Sequence, residues 1–432
     1  MIDRLLERID RSTCNFLAVD TICRELDKAG FQRLCPCCDW KLDAGGKYYM
    51  VKNGSAVFAF VKGIAKAADA GFRIISSHSD SPCFKIKPNA EIIGEGNVVK
   101  INVEKYGGGI LYTWFDRPLS ISGRVMLRGK DALHPEMRLV DVKRPVATIP
   151  HLAIHFNRGV NEGNPLSVQK DMLPVIGIFT DDELEEMFKD GGPVKHLVAD
   201  ELGIKPEEIL EYELNLYPVQ KGERIGMHGR LIQSPRLDDL EMAYASMEAL
   251  LSECDTPAQA TRVMAVFDNE ETGSGTKQGA HSPVLREIFE RICISDGDRD
   301  GIYTALARSF MISADNAHAW HPNYNEKYDP TNHPVMGGGP VIKINANCKY
   351  MTDADGAAVF SELCREAGVS CQYFVNHSDV AGGSTLGNIL TGQMDLRGVD
   401  MGCGVWAMHS ALETGSAADF EMTVKAFSQF FK

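Results

Sequence analysis

Two adjacent carboxylates close an apolar run in this chain: Val263 to Phe267 leads into Asp268-Asn269-Glu270-Glu271-Thr272-Gly273-Ser274. A buried strand is thus expected to deliver Glu270 and Glu271 into a glycine-containing turn. Holding paired carboxylates away from water costs several kcal/mol unless a cation or protons compensate. Neighbours at a strand end can divide the labour, one binding metal while the other moves a proton. Taken alone, the stretch is equally compatible with a solvated acidic loop.

Four further stretches share the same design. Phe72-Arg73-Ile74-Ile75 reads as a strand that empties into Ser76-Ser77-His78-Ser79-Asp80-Ser81-Pro82. A carboxylate two positions from a histidine can fix the ring's tautomer and orientation. Ile312-Ser313-Ala314-Asp315-Asn316-Ala317-His318 ends another apolar run on an aspartate, and Ala407-Met408-His409-Ser410 adds a histidine near the C-terminus. In Ser234-Pro235-Arg236-Leu237-Asp238-Asp239-Leu240 two aspartates precede a helical pattern of Leu240, Ala243, Met247 and Leu250. Each signal is weak singly. Together they supply histidines and carboxylates, mostly at element ends, a donor set that suits a pair of borderline-soft divalent ions such as zinc.

The elements that must position these residues fall into two textures. From residue 1 to about 80, and again after Leu231, helices and strands alternate: a helix near Val61 to Ala70, then helices at Asp239 to Glu253, Pro283 to Ile292 and Ala354 to Ala367, and strands at Val263, Met311 and Cys371 to Val375. Alternation of this kind argues for an α/β sheet covered on both faces. Between about 82 and 229, short β-like runs (Val98 to Val103, Ile110 to Trp114, Leu119 to Leu127) are separated by turn residues. The expected architecture is a three-layer α/β domain with helices on both faces of a mixed sheet, formed by residues 1–81 and 230–432. A mainly β, barrel-like domain over 82–229 interrupts it. A length of 432 residues supports two cores better than one.

A formal net charge of −14 without a dense Lys/Arg tract argues against nucleic-acid and anionic-membrane partners. Charges in Met1 to Arg8 interrupt any signal-peptide core, and no apolar run approaches a membrane span, so a cytoplasmic location is expected. The twelve cysteines are scattered and read as reduced thiols. Cys35-Pro36-Cys37-Cys38 lacks a second Cys-x-x-Cys at finger-like spacing and reads as a surface or packing segment.

Taken in order, His78 to Pro82, Ser234 to Leu240, Asp268 to Ser274, Ser313 to His318 and Ala407 to Ser410 resemble the aspartyl aminopeptidase family of dinuclear zinc exopeptidases. The similarity extends to stretches without obvious chemistry, among them Leu111 to Leu119, Pro150 to His155 and Gly382-Gly383-Ser384-Thr385-Leu386-Gly387. The resemblance implies two Zn2+ per subunit, with Mn2+ or Co2+ as possible substitutes. His78 and Asp315 would bind one ion, Glu271 and His409 the other, and Asp238 would bridge them. Spacing alone does not choose between Asp238 and Asp239; the family places the ligand directly after Arg-Leu, which leaves Asp239 as a helix N-terminal carboxylate. The resemblance further implies a shared water as nucleophile, Glu270 as general base and Asp80 as the group orienting His78.

For substrate, the resemblance implies a peptide with a free N-terminus. Lys343 would pair with an acidic N-terminal side chain, and Tyr350 and His318 would contact substrate. His155, or less favourably His151, would reach a neighbouring subunit's site. The β insertion would then dimerise the chain, with dimers assembling into a tetrahedral dodecamer. His377 stands where similar sequences usually carry arginine. Two rival functions stay open: the same chemistry with broad neutral specificity, and a non-catalytic assembly protein on the same fold.

Overall fold

Strands buried on both faces read as continuous apolar runs. In the computed structural model, which describes residues 1–432, Ala56–Val61 and Thr261–Phe267 are buried along their whole length. They lie inside a nine-stranded sheet. Its order is Gln32–Arg33, Lys47–Lys52, Ala56–Val61, Thr261–Phe267, Phe72–His78, Phe310–Ala314, Arg397–Gly402, Val341–Ile344 and Gln372–Val375. Thr261–Phe267, Phe72–His78, Phe310–Ala314 and Arg397–Gly402 run parallel. Ala56–Val61 and Val341–Ile344 join this block antiparallel, so the sheet is mixed.

Side chains alternate between the two faces of a strand, and the cores follow that period. Val263, Ala265 and Phe267 pack beneath Val284–Ser295, Gly301–Ala307 and Leu386–Thr391; Phe72 stacks on Phe289 with ring centroids 4.1 Å apart. Met264 and Val266 face the opposite core, built from Ile2–Arg11, Asn15–Lys28, Leu237–Glu253, Ala354–Glu366 and Ala417–Phe431. Truncating a core ring such as Phe267 to alanine would cost about 3–5 kcal/mol. This is the three-layer arrangement that the alternating sequence implies.

Contacts divide the chain into two compact units: Met1–Asp80 with Gly222–Met408 and Glu413–Lys432, and Ser81–Lys221 with His409–Leu412. The chain rejoins the first unit at Gly222, earlier than residue 230, because Glu223–Ile225 pairs with Leu231–Ser234, which in turn pairs with Glu413–Ser416. The second unit carries a six-stranded antiparallel sheet in the order Glu136–Asp141, Leu119–Leu127, Ile209–Pro218, Cys83–Ile93, Val98–Tyr106 and Val175–Ile178. It has its own core, where Phe84 and Trp114 meet edge to face.

Several sequence expectations need correction. The six-stranded sheet stays open rather than barrel-like, since Val175–Ile178 has Val98–Tyr106 on one side and no more than an isolated bridge to Thr148 on the other. Leu111–Trp114 is a 3-10 turn, not a strand. Val61 ends a strand, and helix forms at Ala67–Ala70 alone. Gly63 separates the two; a Cβ there would sit 2.1 Å from the Gln259 carbonyl oxygen. Helices Asp181–Lys189, with a Thr180 capping box, and Pro193–Leu202 lie in the second unit, where sequence texture indicated mainly strands.

Candidate metal centre

Ligands in open α/β sheets gather at the carboxyl ends of parallel strands. His78 is the last residue of Phe72–His78, Asp268 follows Thr261–Phe267, and Asp315 follows Phe310–Ala314. Gly402, at the end of the neighbouring strand, admits the Asp315 backbone; a Cβ there would meet the Asp315 carbonyl oxygen at 1.9 Å. Glu270 and Glu271 sit on a one-turn 3-10 helix after Asn269, whose φ of 62° is in the left-handed region that asparagine tolerates. Ser274 N and Thr272 N close the turn on Asn269 O. Asp268 points away from it into the interior, where Asn15 Nδ2 lies 3.1 Å from both carboxylate oxygens. Burial pushes Asp268 up to about 6.

His78, Asp238, Asp239 and Asp315 are all buried, and one donor atom from each lies within 4.8 Å of the others. His78, Glu270 and Glu271 form a second such group. His78 Nε2 is 3.5 Å from Asp238 Oδ1, and its Nδ1 is 3.0 Å from the Asp80 carbonyl oxygen and 3.4 Å from Asp80 Oδ1. Asp80 also accepts from Glu270 N and Glu271 N, at 3.2 Å each, one on either carboxylate oxygen. One side chain therefore orients the histidine and fixes the acidic turn. Glu413 accepts from Asp238 N at 2.9 Å and so holds the aspartate pair in place.

Asp239 lies in the first turn of Leu237–Glu253, where a helix N-terminal carboxylate was expected, but it is no surface cap. It is fully buried, and its Oδ2 accepts from His78 N at 3.0 Å. Burial raises Asp239 well above the ordinary aspartate range, with Asp315 and Asp238 adding to the rise. Burial pushes Glu270 up to about 8, with Asp315, Glu271 and Asp80 adding to the rise. Burial works against a charged His78, but Asp239, Asp238 and Asp80 outweigh it and raise its pKa. A crowd of buried anions around one imidazole is what a bound cation would neutralise.

The family profile described as "Aminopeptidase I zinc metalloprotease (M18)" matches residues 8–431. The chain belongs to the M18 aminopeptidases.

M18 relatives resemble it along its whole length. It is 45% identical over 430 residues to the "Probable M18 family aminopeptidase 2" of Clostridium novyi (strain NT), covering 99% of this chain and 98% of that one. It is 38% identical to the protein of that description from Pseudomonas aeruginosa (strain UCBPP-PA14), covering 99% and 97%. Among solved structures, the Ape4 and Nbr1 complex matches with a TM-score of 0.95 at 34% identity, covering 99% of this chain and 84% of that one. The S. cerevisiae mApe1 dodecamer matches with a TM-score of 0.86 at 29% identity, covering 99% and 95%. The carboxylate and imidazole donors fit the zinc that the M18 family description names.

Lys343 is on strand Val341–Ile344 and is buried. Its Nζ is 3.4 Å from Asp315 Oδ1, donates to Asn316 O at 3.2 Å and lies 5.4 Å from the centroid of the buried Tyr350 ring. Burial opposes the ammonium, but Asp315, Tyr350 and Asp400 more than offset it and hold Lys343 charged. His318 is exposed on its short strand, edge-on to Phe374. His155 and His151 are in the second unit: His155 is exposed, whereas His151 packs edge-on against Phe115 and its backbone N–H donates to Asp116 Oδ1. His409 also groups with that unit, its Nδ1 3.3 Å from Gly108 O. Sequence reasoning missed Glu413 and Asn15, which carry no local signal, and Asp400, whose lone charge inside the apolar run Val399 to Met401 was a readable one.

Proposed function

We propose that this M18 aminopeptidase removes acidic N-terminal residues, Asp or Glu, from peptides, using two zinc ions per subunit. His78 and Asp315 would hold one ion, Glu271 and His409 the other, with Asp238 between them; His409 enters by its motif. Zinc supplies Lewis acidity and makes water a usable nucleophile near neutral pH. Glu270, beside the ligand Glu271 but not itself a ligand, would act as general base, taking the proton from the attacking water and returning one to the leaving amine. Asp80 keeps the Glu270 turn and the His78 ring in register.

The observation that carries acidic specificity is the buried ammonium of Lys343 beside Asp315. A cation held dry next to the ligand cluster favours an acidic side chain and repels a basic one. The broad-specificity reading draws on the same contact, since Lys343 already serves Asp315 and Asn316 O. A panel of aminoacyl chromogenic substrates separates the two: hydrolysis of aspartyl and glutamyl substrates well above leucyl and alanyl ones supports the proposal, and equal rates favour broad specificity. Glu270→Gln should lower kcat at least about a hundredfold on the preferred substrate, within the usual range for general acid–base catalysis.

The mApe1 relative is a dodecamer, and we infer dodecameric self-association here, tetrahedral and built from dimers made through the β-rich unit. Around His155, Leu152, Ile154 and Phe156 are exposed, Phe156 by 82%. A contiguous apolar stretch of this kind marks a contact surface. It supports His155 as the residue that enters a neighbouring subunit's site, where it would donate to the developing oxyanion.

A further inference from the structure

Asp400 belongs to no part of the chemistry described above, yet it is a fully buried carboxylate in strand Arg397–Gly402. That strand lies between the one that ends at Asp315 and the one that carries Lys343. Asp400 Oδ2 accepts from Met351 N at 2.6 Å, and Oδ1 accepts from the Thr385 hydroxyl at 2.6 Å. Its own N–H donates to Thr352 Oγ1 at 2.8 Å. One residue therefore holds two successive positions on the C-terminal side of Tyr350, Met351 by its backbone N–H and Thr352 by its hydroxyl.

The same carboxylate explains a motif that the metal chemistry left unused. In Gly382-Gly383-Ser384-Thr385-Leu386-Gly387, Thr385 supplies the hydroxyl, and Gly387 lies so close that a Cβ there would be 2.7 Å from both Asp400 oxygens. Any larger residue at 387 would displace the carboxylate. Charge-assisted hydrogen bonds of this length are the stronger kind, and a buried carboxylate gripping two chain segments sets their separation.

We propose that Asp400 is a positioning residue: through Met351 N and Thr385 Oγ1 it ties the Gly382–Gly387 turn to the Tyr350 segment and sets the Tyr350 ring against Lys343. The inference rests on the substrate contacts proposed for Lys343 and Tyr350. Asp400 touches neither the reacting atoms nor the zinc ligands; beside its charge effect on Lys343, it acts through the segment it holds.

The test uses the full-length zinc-loaded enzyme and two readouts: hydrogen exchange of the Met351 amide, and steady-state kinetics on the best substrate of the aminoacyl panel. Thr385→Val removes the hydroxyl at nearly constant volume, and Thr385→Ser restores it. Thr385→Val should speed exchange at Met351 and raise KM on the order of tenfold, as loss of one hydrogen bond to a charged group implies, with a smaller change in kcat and unchanged zinc content. Thr385→Ser should recover most of both effects. Should Thr385→Val fail to fold, Asp400→Asn carries the comparison, because its amide oxygen keeps one of the two bonds. Faster exchange with unchanged kinetics, or impaired kinetics with the Met351 amide still protected, overturns the inference. So does a loss that Thr385→Ser does not recover. A wild-type enzyme without acidic preference would overturn the specificity reading instead, and the two readouts on its preferred substrate would still decide the role of Asp400.

Discussion

Replacing Asp80 by alanine probes the linkage between imidazole and acidic turn most directly. The substitution removes the carboxylate 3.4 Å from His78 Nδ1 and strips Glu270 N and Glu271 N of acceptors at 3.2 Å. Hydrogen bonds to a charged acceptor contribute about 1.5–3 kcal/mol each. At 3.2 Å these two are long, so the lower end applies, and together they amount to roughly 3 kcal/mol. If that energy holds the turn in its reactive placement, kcat/KM falls about a hundredfold, since each 1.36 kcal/mol is tenfold. Loss of the group that orients a metal-bound histidine independently weakens zinc binding by about 10–100-fold. Asp80→Asn retains one acceptor oxygen and should show a smaller loss. The assay titrates activity against free zinc in a chelator buffer, which separates occupancy from the rate of the loaded enzyme. The reasoning is refuted if Asp80→Ala, at unchanged Tm, keeps both zinc affinity and saturated kcat/KM within about threefold of wild type, a margin well below the expected hundredfold.

Glu271→Gln should lose metal while Glu270→Gln keeps it; elemental analysis showing equal retention would remove the distinction between these neighbours. Lys343→Ala should cut the preference for aspartyl over leucyl substrates by about one to two orders of magnitude, the equivalent of one charge-assisted contact, and equal losses on both would point to a structural lysine. Burial pushes Asp419 up to about 6 from an ordinary 3.8, against the lowering effect of Gly337 and Gly339 N–H donors. The folded state then holds a proton that the unfolded chain has released, so this group's contribution falls as pH rises from about 4 to 6, by up to roughly 3 kcal/mol. The unfolding free energy of Asp419→Asn, measured beside wild type by urea titration at each pH, should lack that decline. For His155, mixing Glu270→Gln subunits with His155→Ala subunits should restore activity once mixed oligomers are verified by mass spectrometry; mixed oligomers without recovery would leave His155 a local residue.

Strand ends were the legible part of the sequence. Thr261–Phe267 and Phe72–His78 are buried almost throughout, so Val263 to Phe267 and Ile74-Ile75 read as apolar cores that run into a polar turn, and the candidate ligands lie in or just after those turns. Helices with an apolar face were similarly readable, Ala354–Glu366 to within a residue of its expected end. The short elements were not. Leu111–Trp114 has strand-like composition, but its backbone closes into a tight turn as Thr113 N bonds Ile110 O. The burial of Asp239 and Lys343 was not legible for one reason: exposure is a tertiary property, and a charge beside a turn or strand end carries no sign of it until its partners are known. His78 N and Asp315, which satisfy them, are remote in sequence. Asp400 shows the converse, a charge whose apolar flanks reported its burial in advance.

The insertion of a whole folding unit between Asp80 and Gly222 has a kinetic consequence. During synthesis the strand Phe72–His78 leaves the ribosome early, but both of its sheet neighbours, Thr261–Phe267 and Phe310–Ala314, emerge only after the inserted unit is complete. The insert's sheet is assembled entirely from its own residues and can condense first. Meanwhile Phe72, Ile74 and Ile75 wait without neighbours, an apolar edge open to other nascent chains. Non-local pairing of this sort slows folding. The candidate metal cluster inherits the delay: His78 is synthesised well before Asp238, Glu271 and Asp315, so zinc binding there would belong to the last stage of maturation rather than to its nucleation.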